Sequence, residues 1–507
     1  MTNSKKQLQE QQATLRKIRN EEMLKRSRST KENENAKVLG EFSESVRKLY
    51  SPDLNEVYDG IYEIRLALSQ RASPPVKQIL DLKIMDRLVS LLNTKNKLYV
   101  ETTDKHMAKN VLIETAWALT NICTGTHLQT KTVVDHNACP LLMEMFRFND
   151  DEMVDQAIWC LGNIAGDCER FRDILTGLGA VETVCEKLKI YEFKNDKKAI
   201  FNNLLWFAGN LLRGKIPPPS KETMAVFLNI YEAYCNIEDE EATNAIFWGI
   251  SYICDNDNDL MIAFTQSPIY TRFLELLNGY GEKLLTNTTN QKTTNLHSLC
   301  SYSLSPIVRT LGHLVGGSNE LCDFVIKSGA LNNIKLMFYK THARRAQLIR
   351  KEICWALSNI IAGPEEHIQW VLDRKLDDLL LDSLGNYEIS IRREAAHALY
   401  NLTHDSDNID IAIKLINQNI CVAIKKAIEA AESQSDIVMT CLDICINLLE
   451  AGEIITKRNG HNVVLDKMNE TRLADLIEDC QDMRTDEISD KAYNIVMKYL
   501  GGEEESY

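Results

Sequence analysis

The chain has 507 residues, of which 44% are hydrophobic, with ten prolines and 22 glycines, a composition typical of a helix-rich soluble protein with ample material for a core. It contains 58 Lys and Arg against 72 Asp and Glu, a net charge of −14, which argues against a broad surface for nucleic acid or anionic membrane. No apolar run of about 18 residues occurs, so no membrane span is predicted.

The N-terminal segment differs in charge from everything that follows it. Residues 1–31 contain nine Lys or Arg and three Glu, so they carry +6 and the rest of the chain carries −20. Residues 1–39 lack Pro and Gly and have few apolar residues, which predicts a mostly disordered arm that forms a helix on a partner. We assign residues 1–45 to this basic arm, 46–500 to a folded body and 501–507 to an acidic disordered tail.

Internal repeats predict the fold of the body. Five of the six tryptophans lie in similar segments, for example ETAWALTNICTG around Trp117, DQAIWCLGNIAGD around Trp159 and KEICWALSNIIAG around Trp355. Related segments carry Arg309 or His397 at this marker position, and the intervals between marker positions are 42, 47, 42, 61, 46 and 42 residues. Periods of about 40–47 residues are typical of armadillo or HEAT repeats.

Each marker segment is followed by further apolar stretches, often with a Gly-Ala break that predicts a tight turn between helices. Three helices per repeat indicate an all-α, right-handed superhelical solenoid of about ten armadillo repeats. Residues 70–92 are interpreted as a first partial repeat, and residues 463–500 as a terminal helical cap. The polar residues 279–298 are predicted to form an inserted surface loop. The 14 cysteines include no CxxC pair and are expected to be reduced and buried.

Helix geometry predicts which face of the marker helix is buried. Residues two and five positions after each marker tryptophan lie on the opposite side of a helix, and all of them are apolar, as in Leu119 and Ile122 or Leu357 and Ile360. The tryptophan therefore faces a groove, although packing of the tryptophans in the core is the alternative.

An asparagine follows four of the marker tryptophans after four residues, on nearly the same helix face. An amide offers both a donor and an acceptor, so it can pair with the main chain of an extended peptide. Slots between successive indoles suit the stems of Lys or Arg, with cation–π attraction for their charged heads. Asp167, one turn after Asn163, is predicted to receive an ammonium group, or else to be a loop or cap residue. Glu352 and Glu394 fit a second site or are solvated charges.

At this point the sequence resembles the importin-alpha family of nuclear-import adaptors over nearly its whole length. The segments AWALTNICTGTHLQTKTVVD and WCLGNIAGDCERFRDIL are similar to the family's second and third armadillo repeats. The resemblance implies a nuclear import adaptor that shuttles between cytoplasm and nucleus. Such an adaptor is expected to bind Lys/Arg-rich nuclear localisation signals of cargo proteins in an extended conformation and to link them to importin-beta. It also implies an export receptor with Ran-GTP as a partner.

The resemblance also implies two binding sites on the concave surface. The major site would use Trp117, Asn121, Thr130, Gln156, Trp159, Asn163, Gly166, Asp167, Asn203, Trp206 and Asn210, with Thr124 and Gly125 beside them. The minor site would use Arg309, Glu352, Trp355, Ser358, Asn359, Glu394, His397 and Asn401.

The sequence departs from the family pattern at the minor site. His397 replaces the family's Trp and His313 replaces its Asn, and a partly protonated His397 would repel a lysine. A weaker minor site is therefore expected, with most binding in the first half of the chain.

The segment ATLRKIRNEEMLKRSRS resembles the end of the family's importin-beta-binding segment. The residues implied in importin-beta binding and in competition for the cargo groove are Arg16, Lys17, Arg19, Lys25, Arg26 and Arg28. Ser27 interrupts the basic cluster and the family's preceding arginine-rich run is missing, so weaker autoinhibition is expected. The alternative is a plain solvated basic tail.

Two other classes of protein compete with this interpretation. A catenin-type armadillo scaffold for other extended peptides would share the fold but should have a basic groove. An enzyme is not expected, because the sequence contains no P-loop, GxSxG, HExxH or Cys/His zinc pattern. No cofactor, metal, nucleic-acid or membrane partner is predicted.

Overall fold

A computed structural model describes residues 42–69, 74–194, 196–286, 294–341, 346–404, 408–431, 434–483 and 485–501. The six basic residues assigned to importin-beta binding, and the acidic tail beyond residue 501, lie outside these ranges. The chain divides into two compact units, residues 1–256 (unit 1) and residues 257–507 (unit 2).

All regular secondary structure in the described part of unit 1 is helical. Its helices are α1 (Ser43–Leu49), α2 (Leu54–Leu68), α3 (Val76–Asp81), α4 (Met85–Leu91), α5 (Lys97–Glu101), α6 (Lys105–Cys123), α7 (His127–Asp135), α8 (Ala138–Arg147), α9 (Asp151–Ala165), α10 (Glu169–Gly177), α11 (Ala180–Tyr191), α12 (Lys198–Leu211), α13 (Lys221–Tyr234) and α14 (Glu240–Asn256).

Unit 2 has the same character. Its helices are α15 (Asn258–Thr265), α16 (Pro268–Thr286), α17 (Thr294–Val315), α18 (Asn319–Lys327), α19 (Ile334–Lys340), α20 (Ala346–Ile361), α21 (Glu365–Asp373), α22 (Leu376–Asn386), α23 (Ile389–Thr403), α24 (Ile409–Asn417), α25 (Ile420–Ala431), α26 (Ser435–Asn459), α27 (Val463–Glu470), α28 (Leu473–Asp479) and α29 (Asp486–Ile495). A 3₁₀ turn at Cys480–Asp482 and a π turn at Val496–Leu500 complete it.

The helices that carry the marker positions pack side by side in each unit. In unit 1 this row of marker helices is α2, α6, α9, α12 and α14, and each contacts the next. In unit 2 the row is α17, α20, α23, α26 and α29, again packed in order. The all-α repeat solenoid expected from the sequence is confirmed.

The three-helix repeat holds for most of the chain, as in α7–α9 or α21–α23. Two predictions need correction. The repeat that ends in α14 has only two described helices, because residues 212–220 form no helix there. Among the described residues, the row of marker helices starts with α2, before the partial repeat predicted at residues 70–92. Helix α1 begins at Ser43, inside the segment assigned to the basic arm.

The polar stretch 279–298 is not a loop throughout. Helix α16 continues to Thr286 and α17 begins at Thr294, while residues 287–293 lie outside the described residues. The helix continues because Tyr280 is buried and Gly281 lies against the side chain of Asn333. Tertiary packing here outweighs the polar composition.

Local signals set the helix ends. The Asp104, Asp150 and Ser318 side chains accept hydrogen bonds from the first turns of α6, α9 and α18. The Gly-Ala breaks behave as predicted, because Gly179 and Gly329 have φ of +83° and +81°, a conformation that glycine adopts without strain.

The core row predicted on the marker helices is confirmed. Leu119, Ile122, Leu161 and Ile164 are fully buried, as are the equivalent residues of α12, α14 and α20. The 13 cysteines whose side chains are described are free, and most of them are buried. Among the described residues, no helix has both the length and the apolar character needed to cross a bilayer.

Glycines seat the tryptophan and asparagine of the next marker helix. A Cβ added at Gly162 of α9 would lie 2.2 Å from the Trp206 ring, and one at Gly166 would lie 3.4 Å from the Asn210 amide. In unit 2, Gly312 and Gly316 receive Trp355 and Asn359 in the same way, at 2.3 and 2.7 Å. We call each such pair of glycines a glycine seat.

The Gly162→Ala substitution tests the glycine seat. The added methyl group collides with the Trp206 indole, so we expect unit 1 to lose about 1–3 kcal/mol in its free energy of unfolding, measured by urea denaturation. Gly209→Ala on α12 is the matched control, since its Cβ meets nothing closer than 3.9 Å. The control should be neutral or stabilising by up to about 1 kcal/mol. Equal effects of the two substitutions would contradict the collision.

Candidate peptide-binding surfaces

Trp117, Trp159 and Trp206 lie on the consecutive marker helices α6, α9 and α12 of unit 1. Trp117 and Trp159 are half-buried, as a groove position requires. Trp206 is only 7% exposed, because its indole lies over Gly162. The indoles of Trp117 and Trp159 are therefore open to a ligand, whereas the Trp206 ring is largely covered.

The marker asparagines have a structural role that the sequence analysis did not foresee. They were placed on an exposed face, but Asn121, Asn163 and Asn210 are buried between neighbouring marker helices. The Asn210 amide donates to the Gly162 carbonyl at 3.0 Å, and the Asn121 amide donates to the Ser69 hydroxyl at 3.0 Å. One N–H of the Asn121 and Asn210 amides thus ties each marker helix to the preceding one.

An arginine covers one face of Trp117. The Arg65 guanidinium, on α2, lies 4.3 Å from the centre of the Trp117 ring and 4.6 Å from that of Tyr62. It also forms a two-pronged ion pair with Glu114, at 2.6 and 3.3 Å. Both side chains of this pair are nearly buried, at 4% and 12% exposure.

A carboxylate missed by the sequence analysis lies next to the predicted site residues Gln156 and Asn203. The Asn203 amide donates to Asp155 at 2.7 Å. Burial raises the pKa of the Asp155 carboxyl, and the hydrogen bond from Asn203 opposes that rise. Asp155 is four residues before Trp159, on nearly the same helix face, so it adds negative charge beside this indole.

Asp167 does not lie open on the surface, contrary to the prediction that it receives an ammonium group directly. Its side chain is 1% exposed, and its carboxylate is hydrogen-bonded to Nδ1 of His127 at 2.5 Å. The His127 ring is stacked on Phe171, with ring centres 5.4 Å apart and planes 13° apart. Access to this carboxylate is controlled by a residue that the sequence analysis did not single out.

The turn around Gly125 is built mainly from internal hydrogen bonds. Thr130, which the resemblance assigns to the major site, is fully buried, and its hydroxyl lies 3.4 Å from the Cys123 and Thr126 carbonyls. The Thr124 hydroxyl donates to the Asn121 carbonyl. The Gly166 carbonyl accepts from Arg213 at 3.1 Å.

Unit 2 repeats the arrangement of arginine, glutamate and tryptophan. Arg309 on α17 pairs with Glu352 at 3.1 and 3.3 Å, and its guanidinium lies 5.7 Å from the centre of the Trp355 ring. Glu352 is buried and already neutralised by Arg309, so it is not the open acid that the sequence predicted. Asn359 donates to the Gly312 carbonyl at 3.0 Å, as Asn210 does to Gly162.

Glu394 lies 3.8 Å from the ammonium of Lys351. Burial raises the pKa of the Glu394 carboxyl, and Lys351 opposes the rise. Both side chains are largely buried. Because Lys351 already neutralises part of its charge, Glu394 attracts a ligand cation less strongly than an unpaired carboxylate would.

His397 is exposed at the marker position of α23. Desolvation by its packed neighbours lowers the pKa of His397, and Arg393 acts in the same direction while Asp436 opposes it. This shift disfavours the protonated ring, on which the expected repulsion of a lysine depends.

The remaining minor-site residues are engaged within the protein. Asn401 donates to the carbonyl and hydroxyl oxygens of Ser358, at 3.1 and 3.2 Å. His313 packs edge-on against Trp355, with ring centres 5.0 Å apart.

Within the described residues, one group of side chains could hold a metal, with donor atoms of His127, Asp167 and Cys168 within 4.8 Å of one another.

Comparisons with known proteins agree with this architecture. The family model of the armadillo/beta-catenin-like repeat matches residues 126–166, the span of α7 to α9. Importin subunit alpha-1a of Oryza sativa subsp. japonica is 28% identical over 467 residues, covering 90% of this chain and 80% of that protein. Importin subunit alpha-4 of Arabidopsis thaliana is 28% identical over 463 residues, covering 91% and 78%. The chain is similar to both importin alpha subunits over most of its length.

Other matches are shorter or structural. The alignment with importin subunit alpha-1b of Oryza sativa subsp. japonica, 27% identical, covers 61% of this chain and spans about half of that protein, at 51%. The crystal structure of an engineered protein, 18% identical, covers 92% of this chain and 100% of that chain with a TM-score of 0.61, which supports the fold.

The importin alpha resemblance found in the sequence is thus confirmed. The contacts of the site residues, in contrast, are visible only in the structure. Arg65, Glu114, Asp155 and His127 are additional groups around the predicted major site. One signal for Glu114 was available, because it lies three residues before Trp117, as Glu352 does before Trp355. His127 had no such signal, since its contact with Asp167 joins residues 40 positions apart.

The Arg65→Ala substitution tests the buried ion pair. It leaves Glu114 buried without its partner, so we expect a loss of about 3 kcal/mol in the free energy of unfolding of unit 1, measured by urea denaturation. Lys97→Ala is the control, because Lys97 and Glu101 form an ion pair with 82% and 64% exposed side chains. That variant should stay within about 0.5 kcal/mol of the parent protein. A similar loss in both variants would contradict a special role for Arg65.

Proposed function

We propose that the protein is a nuclear import adaptor whose unit 1 binds Lys/Arg-rich nuclear localisation signals in an extended conformation across α6, α9 and α12. The observation that carries the proposal is the repeated tryptophan on the face opposite a fully buried core row, beside the carboxylate of Asp155. The relation to the importin alpha subunits supports the same function.

The spacing of the marker helices suits an extended peptide that advances by two to three residues per repeat. Packed helices are roughly 8–10 Å apart, and an extended chain covers that distance in two to three residues. The stems of lysine side chains pack between the Trp117, Trp159 and Trp206 rings, and their ammonium groups gain cation–π attraction. The second N–H and the oxygen of each marker asparagine amide provide hydrogen bonds for the peptide main chain.

The ion pairs limit where a ligand binds. Arg65 already lies over one face of Trp117, so the available slots run from Trp117 towards Trp206. In unit 2, Arg309 lies over Trp355, Glu352 is neutralised and His397 replaces an indole. We therefore assign the main binding to unit 1 and a weaker second site to Arg309, Trp355, Asn359 and their neighbours.

The basic arm, residues 1–45 in our assignment, is proposed to bind importin-beta and to compete with cargo for the groove. Tethering to the acidic body gives such a segment an effective concentration of the order of millimolar. We further propose that the protein shuttles between cytoplasm and nucleus with an export receptor and Ran-GTP. These roles are supported by the relation to importin alpha alone.

Binding of a fluorescent Lys-rich peptide tests the groove. We expect the joint substitution of Trp159→Ala and Trp206→Ala to weaken binding at least tenfold, measured by anisotropy, because two indole faces are lost. Trp370→Ala is the matched control, since this tryptophan lies on α21 outside the marker row, under Arg374. Unchanged affinity in the double variant, or an equal loss in the control, would contradict the site.

Deletion of residues 1–41, which removes none of the described helices, tests the arm. We expect the shortened protein to bind the same peptide more tightly, because an internal competitor is gone, and to lose capture by importin-beta in a pull-down assay. If neither result changes, the arm is a solvated tail.

A further inference from the structure

We propose that His127 determines the specificity of the peptide site by occupying the carboxylate of Asp167, so that this position selects against lysine. The inference rests on the proposed peptide-binding function. It concerns a residue to which no role was assigned from the sequence, and it follows from where His127 and Asp167 lie.

The two partners differ sharply in exposure. The Asp167 side chain is 1% exposed, whereas the His127 side chain is 55% exposed, and Nδ1 of the ring lies 2.5 Å from the carboxylate. The imidazole therefore lies between this carboxylate and the solvent. A ligand cation that seeks Asp167 meets the outer face of His127 first.

The histidine is held in this position by its surroundings. It is the first residue of α7, and the preceding Thr126 forms a reciprocal capping box with Gln129 that fixes the start of the helix. The ring is stacked nearly parallel on Phe171, which is itself 1% exposed. The cap fixes the backbone at His127, while the Phe171 ring and the hydrogen bond to Asp167 hold the side chain, so displacing the imidazole costs these two contacts.

Competition with a ligand follows from this arrangement. His127 holds Oδ2 of Asp167 and covers a carboxylate that is 1% exposed, so an ammonium group from the solvent gains a charge-assisted hydrogen bond there only if the imidazole moves aside. The net gain is the difference between two similar interactions, which is far smaller than the gain at an open carboxylate. The exposed edge of the imidazole instead offers a hydrogen-bonding surface that suits a neutral polar side chain of the peptide.

The neighbouring carboxylate shows the contrast. Asp155 is paired with the neutral amide of Asn203, which adds no positive charge in front of it. A lysine that binds near Asp155 does not displace a competing imidazole. Positive charge on the peptide is therefore expected to be read near Trp159 and Asp155 rather than at Asp167.

The experiment measures peptide affinity for the full chain and for His127→Ala by anisotropy, with a Lys-rich peptide and with its single Lys→Gln variants. We expect His127→Ala to bind the all-lysine peptide about five- to tenfold more tightly. We also expect one peptide lysine, tolerant of Gln in the parent protein, to become sensitive in the variant. His136→Ala, on the same helix region and hydrogen-bonded to the Thr132 carbonyl, is the matched histidine control and should change nothing.

A second substitution tests whether the Asp167 carboxylate is the source of the tighter binding. Adding Asp167→Asn to His127→Ala should abolish the gain, because the uncovered carboxylate is its source. His127→Gln serves as a second variant, with thermal unfolding as the check on folding, and should also tighten binding. Equal or weaker binding in both His127 variants, while the parent protein binds the peptide, overturns the role of His127 alone. Failure of the parent and of every variant to bind any basic peptide overturns the proposed function as well.

Discussion

The fit between a tryptophan–asparagine pair on one marker helix and a glycine seat on the preceding helix is the contact on which the architecture depends. It occurs in both units, with Trp206 and Asn210 on α12 and with Trp355 and Asn359 on α20. The absence of a Cβ lets the ring approach the preceding helix, and the amide donates to the carbonyl of the first glycine of the seat at 3.0 Å. In these two pairs of helices, the same motif sets the helix spacing and orients the Trp206 and Trp355 rings.

This double use of the same residues explains why the binding surfaces are uneven. An indole seated on glycine presents only its remaining face, and an asparagine tied to the preceding helix has only part of its hydrogen-bonding capacity left. The arginines of the two repeated ion pairs cover further aromatic surface, over Trp117 and over Trp355. Trp159 is half-buried, and Asp155 lies beside it, four residues earlier on nearly the same helix face.

The acidic residues near the tryptophans lie in different environments, although all of them carry carboxylates. Glu114 and Glu352 belong to buried ion pairs, Asp167 is covered by His127, and Asp155 is paired with a neutral amide. Net charge favours cationic partners for the whole chain, but only the arrangement of partners decides which carboxylate attracts a lysine.

The sequence by itself determined the helical repeat, the buried row two and five residues after each tryptophan, and the relation to importin alpha. The buried row follows from periodicity within one helix, which needs no neighbour. The helical repeat and the resemblance to importin alpha rest on similar segments that recur along the chain. Tertiary structure decided the rest. The first marker helix α2 has Arg65 in place of a tryptophan, helix α16 extends through polar residues because Tyr280 is buried, and His127 meets Asp167 across 40 residues. Each depends on which side chains meet across separate helices, and that is not encoded in the spacing along one of them.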